Sequence, residues 1–144
     1  MKKFCSIFFF LCFFSAHAID SGDVVLHASG GWNQNLKAVQ GRVESAYSFF
    51  NDFSIGPAFE FNKYFYALGM GVTWHLEPFE VLAHTGPLYW RSTGQKQTAW
   101  QVSVHANYLI ALTTHWQLLG TAGVNLPDRY FRGVPIGLGM RYWF

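Results

Sequence analysis

The sequence predicts an all-β protein, an antiparallel up-and-down barrel of eight strands that crosses a membrane. Three observations carry that reading. Only 12% of the residues are charged, while 51% are hydrophobic and 19% aromatic; a soluble domain averages about 25% charged. No stretch beyond residue 18 is long and apolar enough for a membrane-spanning helix, which needs about 20 residues. From residue 23 onward, apolar side chains alternate with polar or very small ones, the period-two signature of strands. A chain with these three properties satisfies its backbone in a bilayer only by closing into a barrel.

The first element is a leader, not part of the fold. Lys2 and Lys3 precede the apolar run FCSIFFFLCFF at residues 4–14, and AHA at 16–18 supplies a small-x-small cleavage site. Cleavage is expected after Ala18, leaving one domain over residues 19–144. Cys5 and Cys12 leave with the leader, so the mature chain is expected to form no disulfide and no cysteine metal site. Loss of Lys2 and Lys3 takes the ten basic residues to eight, against eight acidic ones, so the domain carries no net charge. That balance argues against a nucleic-acid partner.

Eight strands follow, near 23–32, 37–49, 53–61, 65–74, 79–90, 98–110, 115–126 and 133–144. Each approaches the roughly 9–11 residues that a tilted strand needs to cross a bilayer. The first carries Val24, Leu26, Ala28 and Trp32 on one face, and the second Val39, Val43, Tyr47 and Phe49. The third has Phe53, Ile55, Pro57, Phe59 and Phe61, and the fourth Tyr66, Leu68, Met70, Val72 and Trp74. The fifth has Phe79, Val81, Ala83 and Tyr89, and the sixth Trp100, Val102, Val104, Tyr108 and Ile110. The seventh offers Trp116, Leu118, Val124 and Leu126, and the eighth Val134, Ile136, Leu138, Met140 and Tyr142. Lys37 is the sole charge on this parity.

Alternation alone does not say which face points inward. The polar parity holds His27, Gln40, Arg42, Glu44, Glu60, Glu80, His84, Gln101, His105 and Arg141, interleaved with Gly56, Gly69, Gly71, Gly86, Gly123, Gly137 and Gly139. Glycine weakens a strand unless something must approach its backbone. The lumen of an eight-stranded barrel, just wide enough for side chains to fill, is such a place. The aromatic residues of the apolar parity also sort to strand ends. Trp32, Phe61, Tyr66, Tyr89 and Trp100 fall at one end; Phe49, Phe53, Trp74, Phe79, Tyr108, Trp116, Tyr142 and Phe144 fall at the other. Two girdles around an aliphatic band mark two membrane–water interfaces. The apolar face therefore points outward.

The final stretch, VPIGLGMRYWF, alternates up to Phe144. In this the chain resembles the small eight-stranded outer-membrane barrels of Gram-negative bacteria, the OmpA and OmpX type. The resemblance implies a place in the cell outer membrane, with the last strand closing on the first. It further implies that the barrel assembly machinery reads Tyr142 and Phe144. The loops here are shorter than in the better-known members. With both termini in the periplasm, periplasmic turns fall near Asn51–Asp52, Glu77–Pro78 and Thr113–Thr114. Outer loops fall near 33–36, 62–64, 91–97 and 127–132, with RSTGQKQ at 91–97 the longest.

Charge then separates along the barrel axis. Lys37, Lys63, Arg91, Lys96, Arg129 and Arg132 gather at the outer rim, opposed mainly by Asp128, whereas Asp20, Asp23, Asp52, Glu77 and Glu80 lie toward the periplasm. A basic collar suits lipopolysaccharide phosphates, because Lys and Arg form charge-assisted bonds with phosphate. Solvation of the same side chains is the alternative. Inside, Arg42, Glu44, Glu60, His84, Gln101, His105 and Arg141 are expected to form a polar network filling the lumen. A short turn at Asn51–Asp52 would put Arg42 directly across from Glu60. A narrow pore or proton path through these groups is the sharper alternative.

One motif suggests chemistry. His27-Ala28-Ser29 resembles the His-x-Ser of outer-membrane lipid A 3-O-deacylases. Two residues apart on a strand they share a face, so a base–nucleophile pair oriented by Glu44 is the enzymatic alternative. In that family the motif lies late in the chain, and here it is on the first strand. Ser103 and His105 share a face in the reverse order. Resemblance to outer-membrane palmitoyltransferases is architectural only, because the outer loops hold no histidine. His75 and His115 sit by periplasmic turns, where solvation is expected. The sequence points to no metal cluster and no cofactor. The expected protein is a monomeric structural or surface-interaction barrel with lipopolysaccharide as its nearest partner.

Overall fold

The computed structural model describes residues 22–92, 95–127 and 132–144, the side chains of 92, 95 and 96 excepted. Eight strands appear: β1 Val24–Asn33, β2 Ala38–Phe50, β3 Phe53–Asn62, β4 Phe65–Leu76, β5 Phe79–Ser92, β6 Gln95–Ala111, β7 Trp116–Pro127 and β8 Pro135–Trp143. Each pairs antiparallel with its neighbour in sequence, and β8 returns to pair with β1, from Val25↔Trp143 to Asn33↔Pro135. No strand edge is left open, the condition a sheet must meet in hydrocarbon. The predicted leader and the boundary after Ala18 lie outside the described residues. The β1–β2, β3–β4, β5–β6 and β7–β8 connections share one end, named the outer end below.

The period-two pattern decides the two faces as the sequence predicts. Val39, Leu68 and Leu138 are 69%, 54% and 64% exposed on the outside, while Glu60, Glu80 and Arg141 are fully buried within. A soluble barrel would have these classes reversed. The aromatic girdles also assemble. Phe53 stacks on Trp74, Phe79 meets Tyr108 edge-on, and Trp116, Tyr142 and Phe144 follow one another at the inner end. At the outer end Tyr66 stacks on Tyr89.

Most predicted boundaries move by one to three residues, and two of these shifts alter the connections. The expected loop at 91–97 is mostly strand: β5 and β6 stay paired through Arg91↔Lys96 and Ser92↔Gln95. The polar residues there extend the ladder past the apolar band as a two-stranded ribbon, and residues 93–94 lie outside the described set. The last strand begins at Pro135, not 133, because Gly133 makes an isolated bridge to Asn125 instead. Other connections are tight. Asn62 Oδ1 accepts the Tyr64 and Phe65 amides at 2.7 and 3.0 Å, an Asx turn that closes β3–β4. Lys37 belongs to the β1–β2 turn, where it adopts φ 48°.

The seam between β1 and β8 depends on a facing glycine pair. A Cβ on Gly31 would come within 2.3 Å of the Ile136 carbonyl oxygen, and one on Gly137 within 2.2 Å of the Gly30 oxygen. Neither neighbour can yield, since both are backbone. Gly120, on the outward face of β7, has nothing within 4 Å of such a carbon. Gly137→Ala should therefore destabilise the barrel by about 1–3 kcal/mol through overpacking. Gly120→Ala should be neutral or stabilising by up to about 1 kcal/mol. Urea unfolding from lipid vesicles measures both; equal effects would contradict this account of the seam.

Candidate functional site

The lumen is organised around two buried carboxylates. Glu60 projects from β3 and receives donors from the far wall. Gln101 Nε2 and Ser103 Oγ donate to its Oε2 at 2.6 and 3.1 Å, and Asn125 Nδ2 at 3.2 Å. His105 Nε2 lies 2.8 Å from its Oε1. The three donors and His105 stand on β6 and β7, so Glu60 ties opposite sides of the barrel together. Every second residue of β6 points inward, which is why Gln101, Ser103, His105 and Asn107 form one column.

Glu80, from β5, is the second centre. Asn107 Nδ2 donates to its Oε1 at 2.7 Å and Arg141 Nη1 to its Oε2 at 2.8 Å. His27 Nε2 and His75 Nδ1 each lie 3.3 Å from one of its oxygens. The other His27 nitrogen is 3.6 Å from Glu44, which accepts Thr73 Oγ1 at 3.0 Å. His75 continues the chain to Ser54 Oγ at 3.0 Å. Carboxylates taken out of water need charge and hydrogen bonds in return. This inner half of the lumen supplies them to Glu80 and Glu44 from β1, β4, β6 and β8.

Apolar side chains lie beyond the polar centre at both ends. Phe65, Ala67, Leu88 and Ala99 cluster on the inner wall near the outer end, with Leu36 and Trp90 against them. Val25 and Trp143 do the same at the inner end.

Known structures share this architecture. The N-terminal β-barrel domain of Pseudomonas aeruginosa OprF aligns with a TM-score of 0.68 at 12% identity, over 88% of this chain and 100% of that one. The fold is that of the small outer-membrane barrels. The Yersinia pestis outer membrane protein Ail, in a phospholipid bilayer nanodisc, gives a TM-score of 0.57 at 11% identity, over 85% and 99% of the two chains. Neisserial surface protein A gives 0.53 at 14% identity, over 85% and 95%. At these identities the likeness is one of fold. No protein-family model and no curated protein sequence matches the chain.

Within this outer-membrane barrel fold, the lumen residues named from sequence meet selectively. Glu60, Gln101 and His105 join one centre; Glu44 and Arg141 join the other. Arg42 does lie opposite Glu60 in the ladder, but Glu60 turns to β6 and β7. Among the described residues the three Arg42 guanidinium nitrogens have no hydrogen-bond partner, nor do the two ring nitrogens of His84. His27 and Ser29 share the inner face, yet neither His27 nitrogen is hydrogen-bonded to Ser29; they face Glu44 and Glu80. Ser103 and His105 likewise contact separate oxygens of Glu60.

Four of the six expected rim cations are described, and all are exposed: Lys37, Lys63, Arg91 and Arg132. Lys63 Nζ sits 4.7 Å from the Tyr64 ring centre and the Arg91 guanidinium 5.3 Å from that of Tyr66. The Arg132 carbonyl accepts the Asn35 side-chain amide. Arg129 and the Lys96 side chain lie outside the described set.

His75 corrects the sequence reading. Expected to be solvated beside a turn, it is 5% exposed within the lumen, because β4 runs two residues further than predicted and keeps its parity. Glu80, the second residue of β5 at the inner end, is the centre of the inner network. Replacing Glu80 alone by Leu leaves Arg141 buried with the more distant Glu77 as its carboxylate among the described residues, and should cost about 3–5 kcal/mol. Glu80→Leu combined with Arg141→Met should recover most of that. Additive losses in unfolding experiments would show that the pair is not coupled.

Proposed function

We propose that the mature domain, released by cleavage after Ala18, resides in the bacterial outer membrane as a monomeric structural barrel. Its basic outer rim engages the phosphates of lipopolysaccharide. The observation that carries this reading is the position of Lys37, Lys63, Arg91 and Arg132, exposed at one end of a wall whose outer face between the aromatic girdles is mostly apolar. Lipid phosphates sit at the depth of such a collar, and each Lys or Arg offers charge-assisted bonds to them.

The lumen, in this reading, is plugged and carries no flux. The filling supports it: two hydrogen-bonded carboxylate centres lie between apolar side chains at either end. The role is accordingly structural and surface-facing, with no catalytic step assigned to His27 or Ser29. Tyr142 and Phe144 are read as the residues that the barrel assembly machinery engages. Phe144 is 64% exposed on the lipid face, and its amide donates to the Val24 carbonyl at 3.1 Å, beside the closing seam.

Neutralising Lys37, Lys63, Arg91 and Arg132 together to Gln should weaken binding of purified lipopolysaccharide at least tenfold, about 1.4 kcal/mol. Planar-bilayer recordings of the unmodified barrel should show no stable channel. Unchanged affinity would remove the rim reading, and large steady conductance would remove the plug.

A further inference from the structure

The four described rim cations fall into two groups. Lys63 lies in the β3–β4 turn and Arg91 near the outer end of β5, whereas Lys37 lies in the β1–β2 turn and Arg132 in the β7–β8 connection. Among the described residues, the first group alone is built on rings. The Arg91 amide donates to the Tyr64 carbonyl at 2.6 Å, which ties the turn that carries Lys63 to β5. Register sets Phe65 against Trp90 and Tyr66 against Tyr89. The Tyr64 and Trp90 rings stack with centres 5.9 Å apart, and the Tyr66 and Tyr89 rings 4.9 Å apart. Lys63 stands on the first stack, at Tyr64, and Arg91 on the second, at Tyr66.

These contacts leave both cations able to bind. A cation over a ring touches the π face, so its N–H donors stay available. A guanidinium stacks in this way and still presents its donor fork to a phosphate. Holding the side chain beforehand also reduces the ordering that a ligand would otherwise impose. Neither Lys63 nor Arg91 makes an ion pair among the described residues. Every described carboxylate lies in the lumen or toward the inner end: Asp23, Glu44, Asp52, Glu60, Glu77 and Glu80. Asp128, outside the described residues, belongs by sequence to the connection that carries Arg132. The ladder partner of Arg91 is another basic residue, Lys96.

Depth and charge together name the occupant. Tyr66 and Tyr89 share the outward parity and belong to the outer aromatic girdle, the level at which headgroups meet hydrocarbon. A phosphate monoester carries close to two negative charges at neutral pH. Two cations of one cluster match that charge better than the single charge of a phosphodiester headgroup. We infer that Lys63 and Arg91, seated on these rings, form one phosphate site, and that it holds a phosphate monoester of lipopolysaccharide. The inference rests on the rim reading above and deepens it, since one built site then carries most of the binding that the collar would otherwise share out.

Paired substitutions separate this site from the rest of the rim. The probe is purified diphosphoryl lipid A, titrated into the full-length mature barrel in detergent and followed by native mass spectrometry. Lys63→Gln with Arg91→Gln should weaken binding at least about fivefold, and Lys37→Gln with Arg132→Gln by no more than about twofold. Tyr64→Leu with Tyr66→Leu keeps every cation and should weaken binding about threefold. Circular dichroism checks that each variant is folded. Dephosphorylated lipid A and phosphatidylglycerol, a diester, should each bind the unmodified barrel at least about fivefold more weakly than the probe. Equal losses in the two cation pairs, or a larger loss from Lys37 and Arg132, would overturn the single site and leave the rim reading standing. Full affinity in the tyrosine variant would overturn the seating on rings. Equal binding of phosphatidylglycerol would overturn the monoester. Loss in neither cation pair would overturn the site and the rim reading together.

Discussion

The whole structure depends on β1 finding β8. In hydrocarbon each unpaired amide or carbonyl costs several kcal/mol, so the sheet is stable there only once its two outer edges meet. That constraint fixes the strand count as even and the chain path as up and down. It also fixes the bore, since eight tilted strands enclose a lumen only as wide as side chains can fill. At the seam the backbones come too close for a Cβ on Gly31 or Gly137, as they do at Gly69 and Gly86 between β4 and β5.

A lumen of that width changes what charged residues do. Arg141, Glu60, Glu80, Glu44 and His27 are all shut away from solvent, yet none is an isolated charge. Glu60 gathers its donors from strands that are not its sheet neighbours, and Glu80 and Glu44 add such strands to their own ladder partners, so the network acts as a set of cross-struts. Glu60 joins β3 to β6 and β7, while Glu80 joins β5 to β1, β4, β6 and β8. A one-residue slip in any of these strands would send a polar or charged group into lipid and an apolar side chain into the bore. Register is thereby specified from both faces at once.

Much of this was legible in the sequence, and what was not has a physical reason. The inside and outside of every strand followed from alternation, because each strand faces one uniform solvent on one side and a crowded axis on the other. The opposition of Arg42 and Glu60 followed from a short turn. The side-chain partners of Glu60 did not, since closure brings non-adjacent strands nearer to a long side chain than its ladder neighbour. His75 was misread for a similar reason: parity continued past the expected strand end. The apolar clusters at the two ends of the lumen were hidden among polar residues of the same parity, with Phe65 and Leu88 the available clue. The β5–β6 ribbon was missed because backbone pairing outlasts the apolar band that signals it.

The decisive question is which face of the wall meets lipid, and residues 19–144 contain no cysteine to complicate asking it. Single cysteines placed in turn from Val102 to Ala106 in β6 can carry nitroxide labels in lipid vesicles. Their collision rates with oxygen, which dissolves in the bilayer, report the answer. The account expects high oxygen accessibility at Val102, Val104 and Ala106 and low values at Ser103 and His105. The opposite alternation, with Val104 shielded and Ser103 open to water, would contradict it.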